Sequence, residues 1–194
     1  MAIRPNERKK MTRYNPEIHH RRSIRLQGYD YSQVGLYFIT ICTFEKQHLF
    51  GKITNGKMIL NAFGNIAQNE WVKTTEIRQN IDMLEYIIMP NHMHGIILIN
   101  DNDDGRGTVH RAPTYRAPTV ERFGKPTSNT IPTIVRGYKS TVTKQINMLR
   151  QTPGAPVWQR NYYEHIIRDE KSYFEIAEYI RYNPLKWRDD KYYA

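Results

Sequence analysis

The stretch EYIIMPNHMHGIILIN, residues 85–100, predicts the centre of the fold. Its two apolar runs are joined at Pro90-Asn91, a pair of residues that favours a turn, so the pattern is typical of a β-hairpin. In the second run, residues 96–99 are apolar on both alternating faces, as in a strand covered by protein on each side. We therefore expect a central, buried strand.

This second run opens with His92-Met93-His94. Successive side chains of a strand point to opposite faces, so the two imidazoles project from one face and Met93 projects from the other. Two neutral imidazoles at this spacing form half of a site for a divalent metal, and another ligand must come from elsewhere. Two hydrogen-bonded histidines at the rim of a core are an equally simple interpretation.

The charge balance of the chain points to a polyanionic partner. The 194 residues include 29 lysines and arginines against 19 acidic residues, which gives a net charge of +10, and there are 14 tyrosines. Cations neutralise phosphates and aromatic faces stack on unpaired bases, so this composition suits nucleic-acid binding. A basic surface that binds protein, or has no particular partner, is the alternative.

Cysteine content and hydropathy bear on location. Cys42 is the single cysteine, so the chain cannot form an internal disulfide. No apolar run reaches the roughly 18 residues that a membrane span requires. We therefore expect a cytoplasmic protein without a membrane segment.

The length suits one domain with appendages, which we expect to span residues 28–187. Residues 1–27 are predicted to form a flexible basic arm, and residues 188–194 a short tail. Residues 101–132 are polar, contain four prolines and repeat the motif RAPT, so we expect a flexible linker there.

Periodicity predicts the remaining elements. Residues 35–44, GLYFITICTF, are typical of a strand, and the Asn55-Gly56 turn precedes a short strand at residues 57–60. Helical spacing is found at residues 65–77, 133–150 and 171–182, and residues 157–169 suit an extended segment. The helix at residues 133–150 is basic on one side, and candidate DNA contacts there and just beyond it are Arg136, Lys139, Lys144 and Arg160.

The last helix is predicted to end at Asn183-Pro184, because proline disfavours the helical conformation of the residue before it. Tyr179 and Asn183 share one edge of this helix, beside its apolar stripe, and Tyr182 points away. A tyrosine can attack a phosphodiester when a cation polarises the phosphate, and an amide oxygen could complete the metal site of the two histidines. A boundary tyrosine and a C-capping asparagine are the simpler alternatives.

Three sequence blocks in this order resemble the single-tyrosine HUH transposases, in particular the REP-associated tyrosine transposases. They are PNHMHGIILI, RGYKSTVTKQIN and VWQRNYYEHIIRDEKSYFEIAEYIRYNPLKW. The similarity covers residues 28–187 apart from the linker. It implies an α+β fold in which helices pack on a ferredoxin-like or RNA-recognition-like antiparallel sheet, the HUH endonuclease fold.

The resemblance also implies roles for individual residues. His92 and His94 match the two histidines that bind the divalent metal, Mg²⁺ or Mn²⁺. Tyr179 matches the nucleophile, and Asn183 falls where the family has a third metal ligand. The implied reaction nicks and rejoins single-stranded DNA beside a hairpin, through a 5′-phosphotyrosine intermediate and without a nucleotide cofactor.

Other expectations remain open at this point. Glu164 and His165 are candidates to remove the phenol proton, and structural roles are the alternative. The expected partner is single-stranded DNA with a REP-like hairpin at the bacterial nucleoid. The protein is expected to be a monomer or a homodimer, and in dimers of the wider group the partner chain can supply the tyrosine. Two other functions fit: a hairpin-binding protein without catalysis, and a metal-dependent hydrolase that uses activated water.

Overall fold

The computed structural model of the chain describes residues 30–100 and 130–193. In chain order the elements are β1 (Gly35–Cys42), β2 (Gly51–Thr54), β3 (Lys57–Leu60), α1 (Ala62–Ile77), β4 (Ile81–Ile88), β5 (His92–Ile99), α2 (Ile131–Leu149), β6 (Tyr163–Ile167) and α3 (Glu170–Tyr182). Short 3₁₀ turns lie at Phe44–Lys46 and Trp187–Asp189. The predicted arm at residues 1–27 and nearly all of the predicted linker lie outside the described residues.

Four strands form an antiparallel sheet in the order β4-β5-β1-β6. The strand β5 is central, as its two apolar faces predicted, and it pairs with β1 along its whole length from Gly35 opposite Ile99 to Cys42 opposite His92. The strands β2 and β3 form a separate hairpin around the Asn55-Gly56 turn. The predicted α+β class with an antiparallel sheet is confirmed.

The helices cover both faces of this sheet. On one face, α1 and α2 pack on alternate residues of β1 and β5, among them Ile39 and Ile97. On the other face, Ala177 and Ile180 of α3 pack on Phe38 and Ile96. The face on which His92 and His94 lie is therefore the one covered by α3. Among the described helices, none is long and apolar enough to cross a membrane.

Local sequence sets the ends of α2 and α3. The helix α2 begins at Ile131 rather than at the predicted Thr133, because the Thr130 side chain accepts a hydrogen bond from the Thr133 amide at 3.4 Å. Pro132 is tolerated there because the first helical turn leaves amides without intrahelical partners. The helix α3 ends before Asn183-Pro184, as predicted.

Gly95 allows α1 to pack directly against the central strand. A Cβ atom at this position would lie 2.5 Å from Cζ2 of Trp71, far inside van der Waals contact. Trp71 is fully buried and meets the ring of Tyr138 from α2 edge-on, with 5.2 Å between the ring centroids. The absence of a side chain on β5 thus lets one tryptophan join the sheet to both helices.

The substitution Gly95→Ala is expected to lower the free energy of unfolding by about 1–3 kcal/mol, because the added methyl group overpacks the site against Trp71. Urea denaturation measures the change. Gly137→Ala in α2 is the matched control: its nearest neighbour is an Arg78 nitrogen at 3.8 Å. It is expected to be neutral or stabilising by up to about 1 kcal/mol. Equal stability of the two variants would contradict the packing argument.

Candidate metal and nucleophile site

The two histidines open β5 and are fully buried between the sheet and the elements that follow it. Their Nε2 atoms are 3.0 Å apart. Strand alternation alone places both rings on one face of the sheet, but it does not require their Nε2 atoms to meet as they do here. The convergence predicted for His92 and His94 is present.

Neighbouring side chains fix how these rings present their nitrogens. The amide nitrogen of Asn91 donates to the carbonyl oxygen of Tyr192 at 2.9 Å, which turns its amide oxygen toward Nδ1 of His92 at 2.8 Å. An amide oxygen can only accept, so Nδ1 of His92 carries the proton and the lone pair on its Nε2 faces Nε2 of His94. On β1, the hydroxyl of Thr40 lies 2.8 Å from Nδ1 of His94 and holds that ring.

These imidazoles suit a divalent metal. Burial lowers the pKa of His92 to about 4, and burial and the neighbouring His92 lower that of His94. Both rings are therefore neutral at neutral pH, the form that binds metals. Adjacent ligands about 2.1 Å from an octahedral ion lie roughly 3.0 Å apart, which agrees with the Nε2 separation.

Asp190 adds a carboxylate that the sequence interpretation did not identify. Within residues 30–100 and 130–193, its carboxylate and the two imidazoles form a cluster whose ligand atoms all lie within 4.8 Å of one another. Two histidines and an aspartate are therefore close enough to bind a metal. Asp190 lies in the predicted short tail, just after the turn Trp187–Asp189. The acidic pair at positions 189 and 190 was the only signal, and no periodicity connected it to the histidines.

The helix α3 brings Tyr179 to this cluster within a single chain. Its hydroxyl lies 3.1 Å from Nε2 of His94 and donates to Oδ2 of Asp190 at 3.2 Å. The side chain is 38% exposed, so a substrate can reach it. Burial, together with the charge of Asp190 and its hydrogen bond, raises the pKa of the phenol above its ordinary value. The phenol is thus held in place and kept protonated.

Asn183 is buried beside the same carboxylate. Its amide nitrogen donates to Oδ2 of Asp190, and its amide oxygen is buried without a hydrogen-bond partner. A buried amide oxygen without a partner is costly, and it is also a ligand that Mg²⁺ and Mn²⁺ accept. The structure brings Asn183 to the site through Asp190, and its role as a metal ligand stays a prediction.

The residues that follow α3 close over the histidines. We call residues 187–193 the C-terminal segment. The ring of Tyr192 lies against that of His92, with 4.7 Å between centroids, and the Trp187 ring lies 5.8 Å from it. The backbone of Tyr192 is tied to Asn91 by the hydrogen bond described above. This packing holds Asp190 at the cluster.

The two proposed proton acceptors in β6 lie elsewhere. Glu164 pairs with Ile39, whose side chain belongs to the core under α1 and α2, so the carboxylate projects from the sheet face opposite Tyr179. His165 pairs with Phe38 and projects from the face of Tyr179, but it is exposed. The groups next to the Tyr179 hydroxyl are His94 and Asp190.

The predicted DNA contacts lie mostly on the other side of the molecule. Lys139 donates to the carbonyl oxygens of Gln159 and Arg160 at 2.5 and 3.2 Å, and burial lowers its pKa to about 8. Its ammonium group therefore anchors the loop before β6. Arg136, Lys144 and Arg160 are exposed. A DNA-binding role for these four residues stays a prediction.

Comparison with known proteins identifies relatives over nearly the whole chain. No protein-family model matches it. An uncharacterized protein of Haemophilus influenzae is 46% identical over 183 residues, which cover 94% of this chain and 98% of that protein, so the two belong to one family. A putative REP-associated tyrosine transposase of the same organism is 26% identical over 158 residues, 81% of this chain and 74% of that protein. Among solved structures, a REP-associated tyrosine transposase bound to a REP hairpin matches with a TM-score of 0.52 and 17% identity, over 86% of this chain and 74% of the other.

The substitution Asp190→Asn is expected to weaken Mn²⁺ binding at least about tenfold, because it removes the charged oxygen nearest the two imidazoles. Isothermal titration calorimetry measures the affinity. Asp189→Asn is the matched control, since it removes the same charge from the adjacent, exposed residue. If Asp190→Asn binds Mn²⁺ as the unaltered protein does and Asn183→Ala does not, the ligand set is instead His92, His94 and Asn183.

The metal-free protein is expected to lose stability on acidification. The unfolded chain takes up a proton at His92 below the ordinary pKa of 6.5, and the folded protein does so only near pH 4. Through this histidine alone, the free energy of unfolding should fall by about 2 kcal/mol between pH 7.5 and pH 5. Urea titrations in EDTA at the two pH values measure the loss. The loss of stability should be smaller in His92→Gln and unchanged in His165→Gln, where an exposed imidazole is removed. An equal loss in the unaltered protein and both variants would show that His92 is not the source.

Proposed function

We propose, because the chain is related in sequence and fold to the REP-associated tyrosine transposases, that it nicks and rejoins single-stranded DNA beside a hairpin. The observation that carries the proposal is the contact between a tyrosine hydroxyl and a pair of converging imidazoles. The Tyr179 hydroxyl lies 3.1 Å from Nε2 of His94, on a chain that needs no second copy to bring them together. A phenol beside two neutral imidazoles could supply a nucleophile and two metal ligands for phosphodiester transfer to tyrosine.

In this proposal the chain's own residues position the Tyr179 hydroxyl and accept its proton. Tyr179 Oη attacks phosphorus, so that a 5′-phosphotyrosine bond forms and the bond to the 3′-oxygen breaks; this oxygen takes up a proton from water and leaves as a 3′-hydroxyl. The carboxylate of Asp190 already accepts the phenol hydrogen bond at 3.2 Å and can take up its proton. Attack on the phosphotyrosine by another 3′-hydroxyl reverses the step and joins strands.

The metal ligands in this proposal are His92 and His94, with Asp190 or Asn183 completing the set. Bound Mg²⁺ or Mn²⁺ would polarise the scissile phosphate. The tautomer of His92, fixed by Asn91, and the contact of Thr40 with His94 orient the two rings for ligation. The negative charge of Asp190 beside the phenol must be offset before an anionic phosphate can approach.

The proposed substrate follows from charge and from the structural relative. That relative is bound to a REP hairpin, and the net charge of +10 suits a polyanion. We infer a hairpin with an unpaired flank that delivers one phosphate to Tyr179. Since one chain holds Tyr179 beside the histidines, a monomer suffices for the chemistry.

One observation favours a second candidate, a hairpin-binding protein without cleavage. Asp190 accepts the Tyr179 hydrogen bond and raises the pKa of the phenol, which disfavours the nucleophilic form. If no cation compensates this carboxylate in solution, the protein would bind DNA and leave it intact.

The substitution Tyr179→Phe is expected to abolish covalent attachment to DNA, because it removes the attacking oxygen and leaves the ring. The unaltered protein, incubated in Mn²⁺ with a labelled hairpin that has an unpaired flank, should give an adduct stable to denaturing electrophoresis. Tyr182→Phe on the exposed side of the same helix is the control and should retain the adduct.

The same incubation, followed by a denaturing gel and a native mobility-shift gel, separates the competing functions. An adduct in Tyr179→Phe would rule out this nucleophile. Cleavage by the unaltered protein without an adduct would support a hydrolase that uses water. Retention of intact DNA in a mobility-shift assay, with neither cleavage nor adduct, would support the hairpin-binding protein.

A further inference from the structure

Tyr163 presents an aromatic ring beside the nucleophile, and no step of the proposed reaction uses it. It opens β6, an edge strand, and pairs with Thr40, the residue that holds His94. Paired residues project from the same face of a sheet, so Tyr163 lies on the face of Tyr179. It is 46% exposed.

A buried phenylalanine sets the spacing between the two tyrosines. The ring of Phe38 meets Tyr163 edge-on with 6.2 Å between centroids, and it meets Tyr179 edge-on at 6.4 Å. Phe38 is fixed in the core under α3. The buried Phe38 ring therefore contacts both tyrosine rings, so a strand whose phosphate reaches Tyr179 can also bring a neighbouring base to Tyr163.

Lys191 places a positive charge next to the Tyr163 ring. Its Nζ atom lies 5.3 Å from the centroid of the Tyr163 ring and 4.9 Å from that of Tyr192, which in turn packs on His92. The lysine is exposed. A half-exposed aromatic ring with a cation over one of its faces, beside the proposed reaction site, offers the two kinds of contact by which proteins bind an unpaired nucleotide.

We propose that Tyr163 and Lys191 form a subsite for one unpaired nucleotide adjoining the scissile phosphate. The base stacks on Tyr163, and Lys191 neutralises the neighbouring phosphate. The subsite rests on the proposed function, because it positions the strand at Tyr179. Both are positioning residues rather than catalytic ones. Because every base offers an aromatic face, the subsite should tolerate different bases at this position.

The test measures binding without cleavage, in a Tyr179→Phe background. The probe is a hairpin with an unpaired flank in which 2-aminopurine occupies each flank position in turn. Stacking on Tyr163 should quench its fluorescence at one position. Adding Tyr163→Ala should remove that quenching and weaken binding roughly 5- to 150-fold, as expected for one stacked base. Tyr163→Trp should retain both the quenching and the affinity, because the larger ring can also stack. Tyr182→Ala, which removes another exposed tyrosine, is the control and should change neither.

The lysine is tested by salt dependence. Lys191→Ala should lower the slope of log affinity against log salt by about 1 for the flanked hairpin, since one phosphate contact is lost. A hairpin without a flank should bind all variants alike. Thermal unfolding of each variant checks the fold; if Tyr163→Ala does not fold, Tyr163→Trp and Lys191→Ala carry the test.

Either of two results would overturn the subsite. One is full quenching and affinity in Tyr163→Ala, and the other is an equal loss of affinity for the hairpin without a flank. These results are independent of the reaction. Quenching that depends on Tyr163 in a protein that forms no adduct would reject the nicking activity and retain nucleotide binding at Tyr163, whereas an adduct without such quenching would reject only the subsite.

Discussion

The burial of two neutral imidazoles at the start of the central strand is the constraint on which the rest of the site depends. Each ring must have its polar nitrogens satisfied away from water, because an unpaired buried donor or acceptor is costly. Asn91 and Thr40 supply partners at the two Nδ1 atoms. The remaining Nε2 atoms can then be directed only toward each other and toward α3 and the C-terminal segment, from which Tyr179 and Asp190 approach.

Asp190 connects these parts. Its carboxylate accepts hydrogen bonds from the Tyr179 hydroxyl, the Asn183 amide and the backbone amide of Tyr192. These donors come from the end of α3 and from the C-terminal segment, so one carboxylate fixes both against the histidines. The same charge raises the pKa of Tyr179. A group that organises the site therefore also opposes ionisation of the Tyr179 phenol, and a cation shared with the imidazoles would relieve that opposition.

The sequence predicted the parts of the fold and site in which residues recur at the spacing of a strand or a helix. Alternation located β5, and helical spacing put Tyr179 and Asn183 on one edge of α3; the family resemblance supplied their roles. Asp190 lies after Pro184 and after the short turn Trp187–Asp189, beyond the last helix, where residue spacing in the sequence does not indicate where its side chain points. The face of Glu164 was also undetermined, because β6 is a short edge strand and the aromatic and apolar residues of YYEHII occupy both alternating sets.

The layered fold constrains how DNA could use the whole surface. The exposed cations Arg136 and Lys144 lie on α2, across the sheet from Tyr179. A strand that contacted both would have to pass around an edge of the sheet. The edge at β6 is preceded by the loop that Lys139 anchors and that carries Arg160, and it begins with Tyr163 on the side of Tyr179. This edge thus has an exposed cation, Arg160, and an exposed aromatic ring, Tyr163, between the two faces of the sheet, and a nucleic acid that passed around it would meet both.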